Sequence, residues 1–260
     1  MTKNHEEEQL EITYYTDPLC CWSWAMEPQW RRLRFEFAGT LNCRYRMGGL
    51  LPNWQTYNDP MNSVARPSQM GPVWMQAKHI SGMPMQDTIW MSSNAPSSSY
   101  PACIAVKCAE LQSVDAAEKY LRLLREAVMI HGKNIAETQV LQELAQELEK
   151  EQPELFSAAQ FEQDWEEEKG LELFREDLQK VKYFNIGRFP TLTISKPGKA
   201  GVIITGYRPY EVLLQALKQV EPNIKPTQKA TDPEAYKNYW GSLTERELQE
   251  AEAQQKEMQV

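Results

Sequence analysis

The β-rich stretches of this chain stand in two groups far apart. QLEITYYT (9–16) and LNCRYRMGG (41–49) lie near the start, and PTLTI (190–194) and GVIIT (201–205) lie near the end. Between the groups, apolar residues recur at helical spacing, as in Leu121, Leu124 and Val128 or Val140, Leu141, Leu144 and Leu148. A pair of strands is not stable alone, so the two groups are best joined in one sheet that a helical insertion splits. The order predicts an α/β fold. Residues 9–50 and 186–220 form one layer domain, residues 60–185 a helical insertion over one end of it, and residues 225–260 a charged helical tail. Helices are expected over 20–37, 100–113, 115–131, 137–149, 158–168, 170–184 and 209–220, with a shorter one near GPVWMQAKHI. A Lys-Pro-Gly turn at 196–198 joins the last two strands. Thr244 and Glu247 have capping-box spacing, and the charged helix they open is expected to be a solvated face.

Hydrophobic residues make up 42% of the chain, enough for a sizeable core and too many for a disordered one. The net charge is −8 and no basic stripe stands out, which argues against nucleic acid and anionic membrane as partners. No stretch approaches the ~20 apolar residues of a spanning helix. MTKNHEEEQLEITYYT lacks the basic start and apolar run of a secretory signal, so a cytoplasmic location is expected. The five cysteines, Cys20, Cys21, Cys43, Cys103 and Cys108, are an odd set without the spacing of a disulfide framework or a zinc site. Nothing in the sequence calls for a metal or another cofactor, and the oligomeric state is left open.

The chemistry-bearing stretch is TDPLCCWSWAMEP (16–28), where a strand runs into the first turn of a helix at Cys20. Unpaired N–H groups at a helix start favour a thiolate, the nucleophilic form of cysteine. Cys20 is therefore expected to be a partly exposed thiol, the most readily alkylated of the five. Trp22 and Trp24 offer apolar surface beside it, and Pro28 is expected to kink the helix without ending it. Far along the chain, GRFPTLTI puts Pro190 at a strand entry, a place for a cis X-Pro bond. Folded back beside Cys20, the Phe189–Pro190 backbone would hold a substrate chain near the sulfur. Cys21, Cys43, Cys103 and Cys108 read as packing residues. Met61, Met70, Met75, Met83, Met85 and Met91 read mainly as core filling. His79 and His131 carry no catalytic role.

Strand, cysteine at a helix start, proline eight residues on and a distant Pro-Thr before a hairpin together resemble the thioredoxin fold. With the helical insertion, the chain is similar to its DsbA-like branch. DPLCCWSWAMEP, REAVMIHGKNIAETQVLQELA and GYRPYEVLLQAL resemble the cytoplasmic FrnE and YjbH-type proteins. The resemblance implies a disulfide oxidoreductase whose attacking cysteine falls on Cys20 and whose cis-proline falls on Pro190. Its resolving cysteine falls on Ser23, which departs from the pattern. Cys21, Trp22, Phe189 and Thr191 are the neighbours that would meet a substrate. Adjacent Cys20 and Cys21 would close a strained ring, so Cys21 is a poor stand-in for the missing thiol.

Two main functions follow, with a weaker third. The first is a thiol–disulfide oxidoreductase or isomerase of Cys-Cys-Trp-Ser type, acting on a client protein or a small thiol such as glutathione. The alternative is a non-catalytic adaptor of YjbH type that delivers clients to a protease. A weaker third is a relative of kappa-type glutathione transferases and chromene-carboxylate isomerases, which place serine where this chain has Cys20.

Overall fold

The computed structural model describes residues 9–228 and 233–257. The first half of the N-terminal stretch read above, residues 1–8, and residues 229–232 and 258–260 of the tail lie outside the described residues. The chain folds as a mixed sheet dressed with many helices.

Strand β1 (Leu10–Thr16) buries Leu10, Ile12 and Tyr14 on one face of the sheet. A parallel neighbour needs a crossover. Helices α1 (Cys21–Ala25) and α2 (Glu27–Glu36) supply it and lead to β2 (Leu41–Met47), which pairs with β1 from Leu10↔Leu41 to Thr16↔Met47. Strands β3 (Thr191–Ser195) and β4 (Val202–Thr205) return antiparallel, with Tyr14 opposite Leu192, and the sheet order is β2-β1-β3-β4. The single helix expected over 20–37 is two. Met26 closes α1 and opens α2, with Pro28 in the first turn of the second. Proline has no N–H to offer the Trp24 carbonyl and its ring crowds that oxygen, so the helix ends and restarts instead of bending.

Between β2 and β3 run α3 (Met70–Ser81), α4 (Tyr100–Gln112), α5 (Val114–Met129), α6 (Thr138–Glu151), α7 (Ala158–Glu166) and α8 (Lys169–Tyr183). Each bound lies within three residues of its sequence-read limit. Asp177 of α8 ties this block to the sheet: its carboxylate accepts Arg46 Nη1 at 2.6 Å, Lys107 Nζ at 3.0 Å and the Met47 amide at 2.8 Å. Of the six Met-rich-stretch methionines, Met70, Met83 and Met85 are core, whereas Met61 and Met91 are exposed. Among the described residues no helix is long and apolar enough to cross a membrane.

Helix α9 (Tyr210–Val220) packs back on the sheet, and α10 (Pro233–Trp240) and α11 (Glu245–Glu257) follow. The expected capping box forms: Glu247 N–H donates to Thr244 Oγ1 at 3.3 Å and Thr244 N–H to Glu247 Oε2 at 2.7 Å. The charged helix is not a solvated face. Glu247 is fully buried, accepting Arg31 Nη1 at 2.8 Å and both Arg122 terminal nitrogens at 2.7 and 2.9 Å. Buried Glu250 takes Arg32 at 3.2 Å. The Arg31 guanidinium lies 4.4 Å over the Trp240 ring. The tail is thereby docked on α2, where Phe35, Tyr236, Trp240 and Ala251 make a second small core.

Candidate functional site

The turn after β1 is built by Asp17. Its carboxylate accepts the amides of Leu19 at 2.8 Å and Leu50 at 2.6 Å, the Ser99 hydroxyl at 2.8 Å and the Cys103 thiol at 3.3 Å. Burial pushes the Asp17 carboxyl up, and those donors oppose the push. One side chain thus clamps the strand end, the 48–51 segment and the start of α4 around the first turn of α1.

Cys20 is the N-cap residue of α1, and its thiol donates to the Phe189 carbonyl at 3.5 Å. The Phe189–Pro190 bond is cis. The Gly206 amide bonds the Pro190 carbonyl at 2.7 Å, which holds the loop after β4 beside the loop before β3. Residues separated by most of the chain therefore meet, as the pairing of PLCCWS with GRFPT implied.

The thiol itself differs from expectation. Cys20 is only 4% exposed, and burial pushes its pKa above the ordinary 9.0. The Ser23 hydroxyl and amide pull the other way, Asp17 adds to the rise, and Arg125 offsets part of it. A five-residue helix offers little dipole, and desolvation of a sulfur anion outweighs it. Cys20 is a protonated thiol at the floor of a cleft, not an acidic one at its rim. Ser23, at the resolving position, is fully buried; its hydroxyl completes no hydrogen bond of ordinary geometry, yet it lies near enough to Cys20 to favour the thiolate. Cys21 is buried in the core and touches the cleft, with its thiol pushed far up by burial.

The cleft has a volume of about 830 Å³. Its walls include Trp22, Tyr57, Phe189 and Tyr207, with Ile80 from α3 and Met61 from the loop before it. Trp22 and Tyr207 lie 6.2 Å apart, ring to ring. Gly48 gives the Phe189 ring its place, since a Cβ at residue 48 would land inside that ring. Thr191 does not line the cleft. It is buried and its hydroxyl donates to the Arg188 carbonyl at 2.7 Å, so it holds the loop that presents Phe189. Cys20, Cys21, Trp22 and Phe189 come together at the cleft; Ser23 and Thr191 lie behind it.

Tyr57, Ile80, Arg188, Tyr207 and Arg208 also line the cleft and are not among the expected site residues, and Met61, expected mainly as core filling, is exposed at its edge. A signal for the two arginines was available: GRFP and GYRP each place an arginine between a glycine and a proline at the border of a terminal strand.

The family model described as thioredoxin matches residues 14–215. The ClpXP adapter protein SpxH of Halalkalibacterium halodurans is 27% identical over 84% of this chain and 70% of its own length. That of Shouchella clausii is 28% identical over 82% and 68%. Among solved structures, the cytosolic disulfide reductase DsbM of Pseudomonas aeruginosa superimposes with a TM-score of 0.59 at 18% identity, covering 89% of this chain and 97% of that one.

Proposed function

The chain belongs to the thioredoxin family, and from that premise we propose that it is a cytoplasmic adaptor. It binds a client protein in the Cys20 cleft and hands it to a ClpXP-type protease. The observation that carries this reading is the setting of Cys20: a buried thiol, whose burial disfavours the thiolate, with a buried serine where a resolving thiol would stand. Redox turnover needs a thiolate to attack and a second thiol to release the product. Binding needs neither. It needs an apolar concavity with aromatic walls, and the cleft is large for one sulfur atom and well sized for side chains of a peptide. The adaptor names carried by the curated relatives support the same direction.

A second reading is thiol exchange through Cys20 with a client or with glutathione. The contact of Sγ with the Phe189 carbonyl favours it, because that peptide edge is where a bound chain would meet the sulfur.

The two readings part in one experiment. Proteomics with and without this chain, in cells with and without ClpX, identifies proteins whose level falls only when both are present. Purified ClpXP should degrade such a protein faster when this chain is added. The acceleration should survive Cys20→Ala and be lost in Trp22→Ala. No acceleration by the wild-type chain overturns the adaptor reading. Loss on Cys20→Ala transfers the case to thiol exchange.

A further inference from the structure

The cleft is apolar, yet its charged lining has one sign left unpaired. Asp59, Arg188 and Arg208 are its ionisable side chains besides the two cysteines and two tyrosines. Asp59 is spent on its own loop, accepting the amides of Met61 and Asn62 at 3.1 and 3.2 Å and the Asn62 side-chain amide at 2.6 Å. The two guanidiniums are exposed, and among the described residues no carboxylate lies within ion-pair distance of either. Arg188 donates to the Met61 sulfur at 2.8 Å, a weak acceptor, and Arg208 to the neighbouring Tyr207 carbonyl at 3.0 Å. Both line the cleft from neighbouring loops: the Pro190–Gly206 hydrogen bond joins the loops, and Arg188 Cδ lies 3.9 Å from the Cβ position of Gly206. A chain of net charge −8 has many carboxylates with which to neutralise two arginines, and among the described residues it leaves these two without one at the edge of the Cys20 cleft.

Apolar side chains are also exposed at and near the cleft. Val181 and Ile186 line it, and Tyr183 and Phe184, between them in the chain, are 80% and 51% exposed. Ile80 and Met61, also in the lining, are 51% and 75% exposed. Apolar surface of that extent suits an extended segment better than a compact ligand.

We propose that the cleft takes an acidic, apolar peptide segment of the client, its aromatic or aliphatic side chain seated against Trp22, Phe189 and Tyr207 and its carboxylate on Arg188 and Arg208. The inference rests on the client-binding reading and deepens it. Guanidinium and carboxylate fit as a planar fork, and the charges select acidic clients over basic ones and speed encounter.

The test uses fluorescence anisotropy on the full chain with two labelled peptides, one of alternating Leu, Phe and Glu, the other with Gln for every Glu. The acidic peptide should bind at least about tenfold more tightly than the neutral one, with affinity falling as salt is raised. Arg188→Gln with Arg208→Gln should remove that preference, bringing the two peptides to within about twofold of each other; both residues are exposed, so the fold is not at stake. Equal binding of the two peptides to the wild-type chain overturns the acidic preference while the client-binding reading stands. Binding of neither overturns both. Glutathione is the third probe: if it displaces the acidic peptide at micromolar concentration, the arginines serve a small thiol and the proposal fails.

Discussion

Replacing Glu247 by Gln should undock the tail. Burial raises the Glu247 carboxyl, but the charges of Arg122 and Arg31, with the Arg122 and Thr244 hydrogen bonds, bring it down from 4.5 to about 2. At about 1.36 kcal/mol per pKa unit, that depression is worth roughly 3 kcal/mol of stability. A second route gives a similar figure. Removing one partner of a buried ion pair costs about 3–5 kcal/mol because the other charge is left uncompensated. Here the lower end applies, since Glu27 lies 3.5 Å from Arg122 and 3.9 Å from Arg31, and Glu126 lies 2.6 Å from Arg122. About 3 kcal/mol corresponds to a fall in melting temperature of roughly 6–12 °C for a chain of this size. The folded pKa is the depressed one, so the carboxylate's contribution is complete above about pH 4.5 and is lost as pH falls toward 2. By pH 3 somewhat more than half, roughly 60%, of the difference between wild type and variant should be gone. Urea denaturation at pH 7 and pH 3 measures this, and hydrogen exchange over residues 245–252 tells tail release from global unfolding. A Gln variant within about 0.5 kcal/mol of wild type at pH 7, or a difference that does not shrink at pH 3, would refute the account.

Three further outcomes are expected. Burial keeps the Cys20 thiol above its ordinary pKa, so iodoacetamide at pH 7.5 should modify it more slowly than free cysteine, with the rate climbing as pH passes 9; peptide mapping by mass spectrometry reads this, and a fast reaction at pH 7.5 contradicts it. Ser23→Ala should change stability by less than about 1 kcal/mol in chemical denaturation, because the hydroxyl it removes is buried without a partner. Gly48→Ala should drive Phe189 from its place, costing about 1–3 kcal/mol by calorimetry and weakening binding of the Glu-containing peptide; an unchanged melting point and affinity would show that the ring has room to give.

Much of this fold is local and periodic, and that part was legible without coordinates. Helical spacing placed α4 to α8, β-rich runs bounded by Pro and Gly placed the strands, and Thr244 with Glu247 announced the start of α11. The pairing of Cys20 with Pro190 was legible for another reason: a cysteine at a strand-to-helix turn and a proline at a strand entry have few alternative uses once both strands share a sheet. Burial was not legible, because it depends on what arrives from elsewhere in the chain. Cys20 stands at a helix start that favours a thiolate, but Phe189, 169 residues away, closes over it, and desolvation reverses the sign of the shift. The tail reads as a solvated charged helix because its own sequence holds no hint that Arg31 and Arg122 wait on α2 and α5; their counter-charges make burying Glu247 tolerable. Arg188 and Arg208 are ordinary surface arginines in sequence. The β3–β4 pairing, continued by the hydrogen bond from Gly206 to Pro190, brings their loops to one cleft. Local propensity determined which elements form, and long-range packing decided which groups are dry, which charges are paired and which are left facing a ligand.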